Sequence, residues 1–219
     1  MKSMTDTKLR AFLRESYNRS AQERETSSMQ AWKVEERANF LALLQREHKQ
    51  NLLEIGSGPG RDSKFFQEQG LKTVCIDLSP AMVALCKQKG LEAYVMDMAE
   101  ISFPEASFEA VYALNSLLHL PKVELSSCLQ RIDRLLKTGG LFFLGIYGGY
   151  EHEGVWERDD YEPKRFFSFF SDEHIEQEVS KVFDVLAFKQ IVVKPDDPIH
   201  FQSLILQKKD TAQSQGAQP

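Results

Sequence analysis

Leu52-Leu53-Glu54-Ile55-Gly56-Ser57-Gly58-Pro59-Gly60-Arg61-Asp62-Ser63 is the stretch from which the rest of the chain is read. A short apolar run ends in three alternate glycines. A helix carrying Phe65 and Phe66 follows and stops at Gly70. Strand, glycine turn and helix in this order open an α/β unit. Glycines let the backbone turn tightly and let a ligand lie against it with no Cβ in the way. The free N–H groups at the start of the helix favour an anion. The spacing is G-x-G-x-G, which departs from the G-x-G-x-x-G of a dinucleotide-binding turn.

Outward from this stretch the pattern repeats. Thr73-Val74-Cys75-Ile76 is a β-branched run ending at Asp77. Ser79-Pro80 starts a helix, with Ser79 as N-cap, and Gly90 ends it. Ala93-Tyr94-Val95-Met96 is a third strand ending at Asp97, and residues 108–114 form a fourth. Leu125, Cys128, Leu129, Ile132, Leu135 and Leu136 trace one helical face. Thr138-Gly139-Gly140 stops that helix before a fifth strand over 141–147. Strands alternating with helices imply right-handed crossovers and a parallel sheet covered on both faces. The expected class is α/β, a doubly wound, Rossmann-like and mostly parallel sheet.

The two ends of the chain differ from this pattern. Residues 182–193 and 200–207 flank Lys194-Pro195-Asp196-Asp197-Pro198, so they are expected to pair antiparallel. Upstream, Leu9, Phe12 and Leu13 mark one helix, a polar break covers 25–28, and a second helix is expected over about 29–47. Residues 1–48 thus read as an N-terminal helical cap. One domain over 1–209 is expected, at roughly 150 residues per domain, with a polar, disordered tail over 210–219.

The 219 residues are 42% apolar and 27% charged, ordinary for a globular protein. Lys plus Arg number 27 against 32 Asp plus Glu, a net charge of −5. That argues against broad phosphate-backbone binding, so nucleic acid is not an expected partner. No apolar run approaches the ~20 residues of a membrane span, and Met1-Lys2-Ser3-Met4-Thr5 leads into no apolar signal core. Cys75, Cys86 and Cys128 form no ligand-like cluster and read as reduced core thiols of a cytoplasmic protein. No metal site is expected.

Ligands of open parallel sheets bind beyond the carboxyl ends of the strands. Glu54, Asp77 and Asp97 all stand there. A carboxylate at Asp77 is placed to accept from both hydroxyls of a ribose, and Asp97 is placed to read the exocyclic amine of adenine.

With these residues in view, the blocks LLEIGSGPGRDS, CIDLSPAMV and VMDMAE, with the run from Ala113 to Leu120 and that from Arg131 to Gly140, resemble the class I S-adenosylmethionine-dependent methyltransferases. The resemblance covers 51–147, in the order and at the distances of the family. It implies S-adenosylmethionine as cofactor, with S-adenosylhomocysteine as product. Gly56, Ser57, Gly58 and Gly60 would line its methionine and ribose parts. Glu54 would orient the loop, with Arg61 and Asp62 near the methionine end. Asp77 would hold the ribose, with Leu78 packing on the adenine. Asp97 would face the adenine amine and the Met98 N–H a ring nitrogen. Asn115 would sit near the cofactor amino group and the transferred methyl. Tyr17, in Tyr17-Asn18-Arg19-Ser20-Ala21, is similar to an N-terminal element that folds over the cofactor; it reads equally as a core aromatic.

No universal catalytic residue carries over, because an activated donor needs chiefly alignment and exclusion of water. His119 is a candidate general base or a hydrogen-bonded loop histidine. Tyr17 and His152 are further candidates. Residues 148–171 hold six acids among aromatics and are expected to be either a solvated loop or a substrate lid hinged at Gly148-Gly149. Their acidity suggests a neutral or cationic small acceptor. After the fourth strand the chain reads Asn115-Ser116-Leu117-Leu118. It lacks the Asn/Asp-Pro-Pro-aromatic element of enzymes methylating adenine or glutamine amides. The expected activity is methyl transfer to O or N of a small molecule. A catalytically silent cofactor-binding or scaffold protein is the alternative. A nicotinamide oxidoreductase is disfavoured by the glycine spacing.

Overall fold

The structure of the protein is a computed structural model that describes residues 6–210. Of the expected tail over 210–219, all but Asp210 lies outside the described residues.

Five parallel strands form the centre: β1 (Asn51–Ile55), β2 (Lys72–Asp77), β3 (Glu92–Val95), β4 (Phe108–Leu114) and β5 (Leu136–Gly148). Two further strands, here β8 (Phe183–Val192) and β9 (His200–Lys208), complete a seven-stranded sheet of order β3-β2-β1-β4-β5-β9-β8. β9 is antiparallel to both its neighbours, β5 and β8. The Pro-Asp-Asp-Pro turn therefore forms the hairpin that its composition implies.

The sheet alternates sides with period two, and this divides the core. Leu53, Ile55, Val111, Phe142 and Leu144 face one layer, which includes α6 (Lys122–Leu135) and its stripe Leu125, Cys128, Leu129, Ile132 and Leu135. Leu52, Ala110, Tyr112, Leu141 and Phe143 face the other, which contains Phe40 and Leu44 of α3 (Ala31–Arg46) and Phe66 of α4 (Arg61–Glu68). Burying such side chains contributes about 1.5–3 kcal/mol each against the entropy of ordering them. α5 (Pro80–Gln88) follows β2, capped by the Ser79 hydroxyl, which accepts from the Met82 N–H. α7 (Asp172–Ser180) precedes β8.

Three expectations change. The fifth strand begins at Leu136, before Thr138-Gly139-Gly140, because Leu136 pairs with Phe108 across an irregular register. Helix α3 is a layer of the core, so only α1 (Asp6–Arg19) and α2 (Ala21–Thr26) stand apart as a cap. The 148–171 segment contains a two-stranded antiparallel hairpin of β6 (His152–Val155) and β7 (Phe166–Phe169). Four-residue strands, one holding Gly154, carry too little alternation to be read locally. Phe167, Phe169 and Phe170 anchor the segment in the core.

The chain runs outward from β1 through β2 to β3, then returns to the other side of β1 as β4. This reversal opens a crevice at the carboxyl ends of β1 and β4.

Candidate functional site

The glycine turn is shaped by what lies behind it. Gly56 and Gly60 have φ of +69° and +81°, a region L side chains rarely adopt. A Cβ on Gly56 would lie 2.3 Å from Ser116 Cβ, and one on Gly60 would lie 2.7 Å from Cys86 Sγ. Gly58 differs: a Cβ there would meet only the Arg24 guanidinium, at 3.9 Å. Its open face is turned to the crevice. The N–H groups of Gly56 and Ser57 donate to the Ile76 carbonyl at 2.8 and 3.0 Å, tying the turn to β2.

Glu54 braces this turn from below. Its buried carboxylate accepts from the backbone N–H of Ser63, at 2.9 Å, and from the Ser63 hydroxyl. Burial, and next the charge of Asp62, push the Glu54 carboxyl well above the usual carboxylate range. Asp62 is bonded to Arg37 at 2.9 Å, and the Arg37 guanidinium lies 4.0 Å over the Phe65 ring.

Asp77, nearly buried, accepts from Gly58 N–H through Oδ2 and from Ser79 N–H through Oδ1, each at 2.8 Å. Each oxygen keeps a lone pair for a ligand hydroxyl. Burial lifts the Asp77 carboxyl to about 6, against the two backbone donors.

A cavity of about 150 Å³ lies over the turn, lined by Gly56, Ser57, Gly58, Arg61, Asp62 and Asn115 and roofed by Arg24 and Lys33. A smaller hollow adjoins it, bounded by Tyr17, Asp77, Leu78, Met98, Asn115 and His119. A third continues past Leu78 and Met98 to Asp97. The three form one track past the ends of β1, β2 and β4. Asn115 Oδ1, Ser116 Oγ and Arg24 Nε are buried here with no hydrogen-bond partner. Orphaned polar atoms beside a bare glycine cradle fit a polar ligand, since leaving them unmet costs about 1–3 kcal/mol each. Lys33, buried and beside Arg24, is lowered to about 8. At the far end Asp97 is already engaged: Oδ1 accepts from Ala99 N–H at 2.8 Å, and Oδ2 is 2.5 Å from Arg10 Nε.

The cap and the hairpin meet above the track. The Ser16 hydroxyl donates to the Pro163 carbonyl. Tyr17 Oη lies 2.6 Å from His119 Nε2, and His119 Nδ1 lies 2.8 Å from the Phe166 carbonyl. A carbonyl only accepts, so Nδ1 carries the proton and Nε2 accepts from Tyr17. Burial, then the charge of Arg165, depresses His119 to about 3. Arg165 donates to Tyr17 Oη at 3.1 Å, forks onto the buried Asp159 at 2.9 and 2.6 Å, and stacks 3.6 Å over the Tyr161 ring.

Of the sequence candidates, the glycines, Ser57, Glu54, Arg61, Asp62, Asp77, Leu78, Met98, Asn115, His119 and Tyr17 come together along this track, with Asp97 at its end. His152 does not: it packs on Trp156 and Phe169, on the hairpin's own aromatic cluster. Arg24, Lys33, Tyr161 and Arg165 were not found from sequence. No motif marks them; Arg24, Tyr161 and Arg165 meet only when the two outlying segments fold over the crevice, and Lys33 joins from α3.

Three of the six acids of the hairpin segment are ion-paired. Glu151 pairs with Lys122 and His174, Glu157 with Lys164 at 3.3 Å, and Asp159 with Arg165. From this segment Tyr161 bonds to Arg24, Arg165 bonds to Tyr17, and the Phe167 ring packs on His119. The segment's composition led to the expectation of a neutral or cationic acceptor, and these pairings leave less of its acidity unpaired than the composition implies. Among the described residues no group of three metal-ligating side chains is gathered, and no helix is long and apolar enough to cross a membrane.

Residues 53–144 match the methyltransferase domain family. The fold is shared with a Burkholderia thailandensis 1,6-didemethyltoxoflavin N1-methyltransferase solved with S-adenosylhomocysteine, at a TM-score of 0.73 and 20% identity over 96% of this chain and 93% of that one. A Neurospora crassa sterol 24-C-methyltransferase is 40% identical over 68 residues, 29% of this chain and 17% of that protein. A Xanthomonas oryzae ubiquinone biosynthesis O-methyltransferase is 31% identical over 100 residues, 42% of this chain and 41% of that protein. The chain thus spans less than half the length of these two curated relatives.

Proposed function

We propose that this chain is a class I S-adenosylmethionine-dependent methyltransferase, which the match of residues 53–144 to the methyltransferase domain family supports, and that it methylates the oxygen or nitrogen of a small molecule in the cytoplasm. The observation that carries the reading is the pairing of Gly58's open face with Asp77, whose two oxygens each keep a free lone pair beside buried orphan atoms.

S-adenosylmethionine supplies a methyl already activated on a sulfonium. Asp77 accepts from the ribose hydroxyls. Leu78 and Met98 line the adenine hollow, and Asp97 closes its end. Arg24 and Lys33 roof the methionine end and suit its carboxylate, while Asn115 Oδ1 faces its ammonium. Tyr17 and the hairpin keep water from the reacting atoms. With the cofactor bound, the track would hold the acceptor's O or N in line with the activated methyl. The proton of a protonated acceptor would leave to solvent. Alignment supplies most of the rate.

One observation favours a second reading, cofactor binding without turnover. His119 is the only histidine on the track among the described residues, and both its nitrogens are occupied. Incubation with methyl-labelled S-adenosylmethionine and a fractionated cell extract separates the two. Label in the small-molecule fraction supports the enzyme. Cofactor binding with no labelled fraction supports the silent protein.

A further inference from the structure

The two segments over the track carry cations toward it. Arg24 and Arg165 stand over the same two rings: each guanidinium carbon is 5.4 Å from the Tyr17 ring, and Tyr161 bonds to one and stacks with the other. Among the described residues Asp159 is the carboxylate ion-paired within this group, and it is taken by Arg165, while Asp77 and Asp62 act on Arg24 and Lys33 without an ion pair. Arg24 has a single hydrogen bond, from Nη1 to Tyr161 Oη at 3.3 Å, and its Nε is a buried orphan. Lys33 adds further positive charge on the same side.

The cofactor increases this imbalance. A sulfonium and an ammonium against one carboxylate give it a net charge of about +1 at neutral pH. Its carboxylate offsets one of the cations, and its sulfonium adds another at the place where the acceptor must sit. A cationic acceptor is repelled by every one of these groups. An anionic one is attracted, in surroundings of low effective dielectric.

On that reading of the site, we infer that the methyl acceptor bears an acidic group, a carboxylate or a phosphate, seated against Arg165 and Tyr161 while its O or N faces the methyl. A guanidinium has five N–H groups. Asp159 and Tyr17 take three from Arg165, one at Nε, one at Nη2 and one at Nη1. The remaining two, one on each terminal nitrogen, are free to fork onto an oxyanion. The Tyr161 hydroxyl accepts from Arg24, so its own proton is available to the same group. Asp159 fixes the guanidinium plane in advance and lowers the ordering cost of binding. Transfer removes the sulfonium charge, so an acidic product is held less tightly than the acidic acceptor was.

The test uses the whole chain saturated with S-adenosylhomocysteine, titrated with inorganic phosphate, with acetate and with tetramethylammonium. Either anion should bind saturably and the cation should not; the better anion tells phosphate from carboxylate. Replacing S-adenosylhomocysteine by an analogue with an ammonium at the sulfonium position should tighten the anion. Tyr161→Phe and Arg165→Lys should each weaken it about tenfold. Tyr161→Phe keeps the ring and serves if the arginine variant does not fold. No anion binding by the loaded protein, or binding that neither variant weakens, overturns the inference and leaves the cofactor assignment standing. Failure to bind S-adenosylhomocysteine at all overturns both.

Discussion

Tyr17 and His119 are 102 residues apart in the chain, and their side chains meet at 2.6 Å. The Phe166 carbonyl fixes the His119 tautomer from the other side at 2.8 Å. One contact thereby joins cap, sheet and hairpin over the track. Tyr17→Phe removes the donor and leaves His119 Nε2 buried and unmet, at a cost of about 1–3 kcal/mol. A melting temperature lower by several degrees is expected, with kcat reduced more than cofactor affinity. Unchanged melting and turnover would mean that the contact neither holds the cap nor serves the reaction.

His119 also sets an acid limit. Its value falls from 6.5 unfolded to about 3 folded, so between these values the unfolded chain binds the extra proton. Its contribution is complete above pH 6.5 and is lost as pH falls toward 3. Asp77 acts in the opposite direction: raised from 3.8 to about 6, it costs stability as pH rises through that window. In urea unfolding from pH 7 to 4, His119→Gln should flatten the acid loss and Asp77→Asn should steepen it. Parallel profiles for all three proteins would contradict both assignments.

Gly58 and Gly70 share a positive φ, +53° and +92°, but only Gly58 faces the track. Alanine at either position bears a left-handed backbone, about 1–2 kcal/mol. Both variants should melt lower by similar amounts, and only Gly58→Ala should lose S-adenosylhomocysteine affinity, by tenfold or more. Equal affinity in the two variants would remove the cofactor from the glycine cradle.

Arg24 is a buried cation with no ion pair among the described residues, its carboxylate neighbour Asp77 acting on it at longer range. Removing such a charge relieves desolvation, so Arg24→Met should leave the ligand-free protein as stable as before or more so. Cofactor affinity should fall about tenfold in the same variant. Melting curves with and without S-adenosylhomocysteine test both signs at once. A less stable variant with normal affinity would make Arg24 a structural residue.

What the sequence disclosed follows from the range of the interactions. Glycines at 56, 58 and 60, the Ser79-Pro80 cap and the 125–135 stripe are local patterns, since turn, cap and helix face are fixed by near neighbours. Asp77 was legible because strand ends and ligand sites coincide in this class of sheet. Arg24, Tyr161 and Arg165 were hidden because their meaning comes from partners more than a hundred residues away, as with Arg165 and Tyr17. The pairing of acids within 148–171 was hidden for the same reason. Composition counts charges, while direction depends on Lys122, His174 and Arg165, which take up Glu151 and Asp159.

The cofactor track is tested most directly by titrating S-adenosylhomocysteine into the wild type and Asp77→Asn from pH 7.5 to 5. One site per chain is expected, with affinity falling as pH drops through about 6, where the Asp77 carboxylate takes up its proton. Asp77→Asn should bind at least tenfold more weakly and lose that pH dependence, matching about 1.5–3 kcal/mol for hydrogen bonds to a charged group. Equal affinity for both proteins at every pH, or no binding to the wild type at millimolar ligand, would contradict the assignment of this crevice.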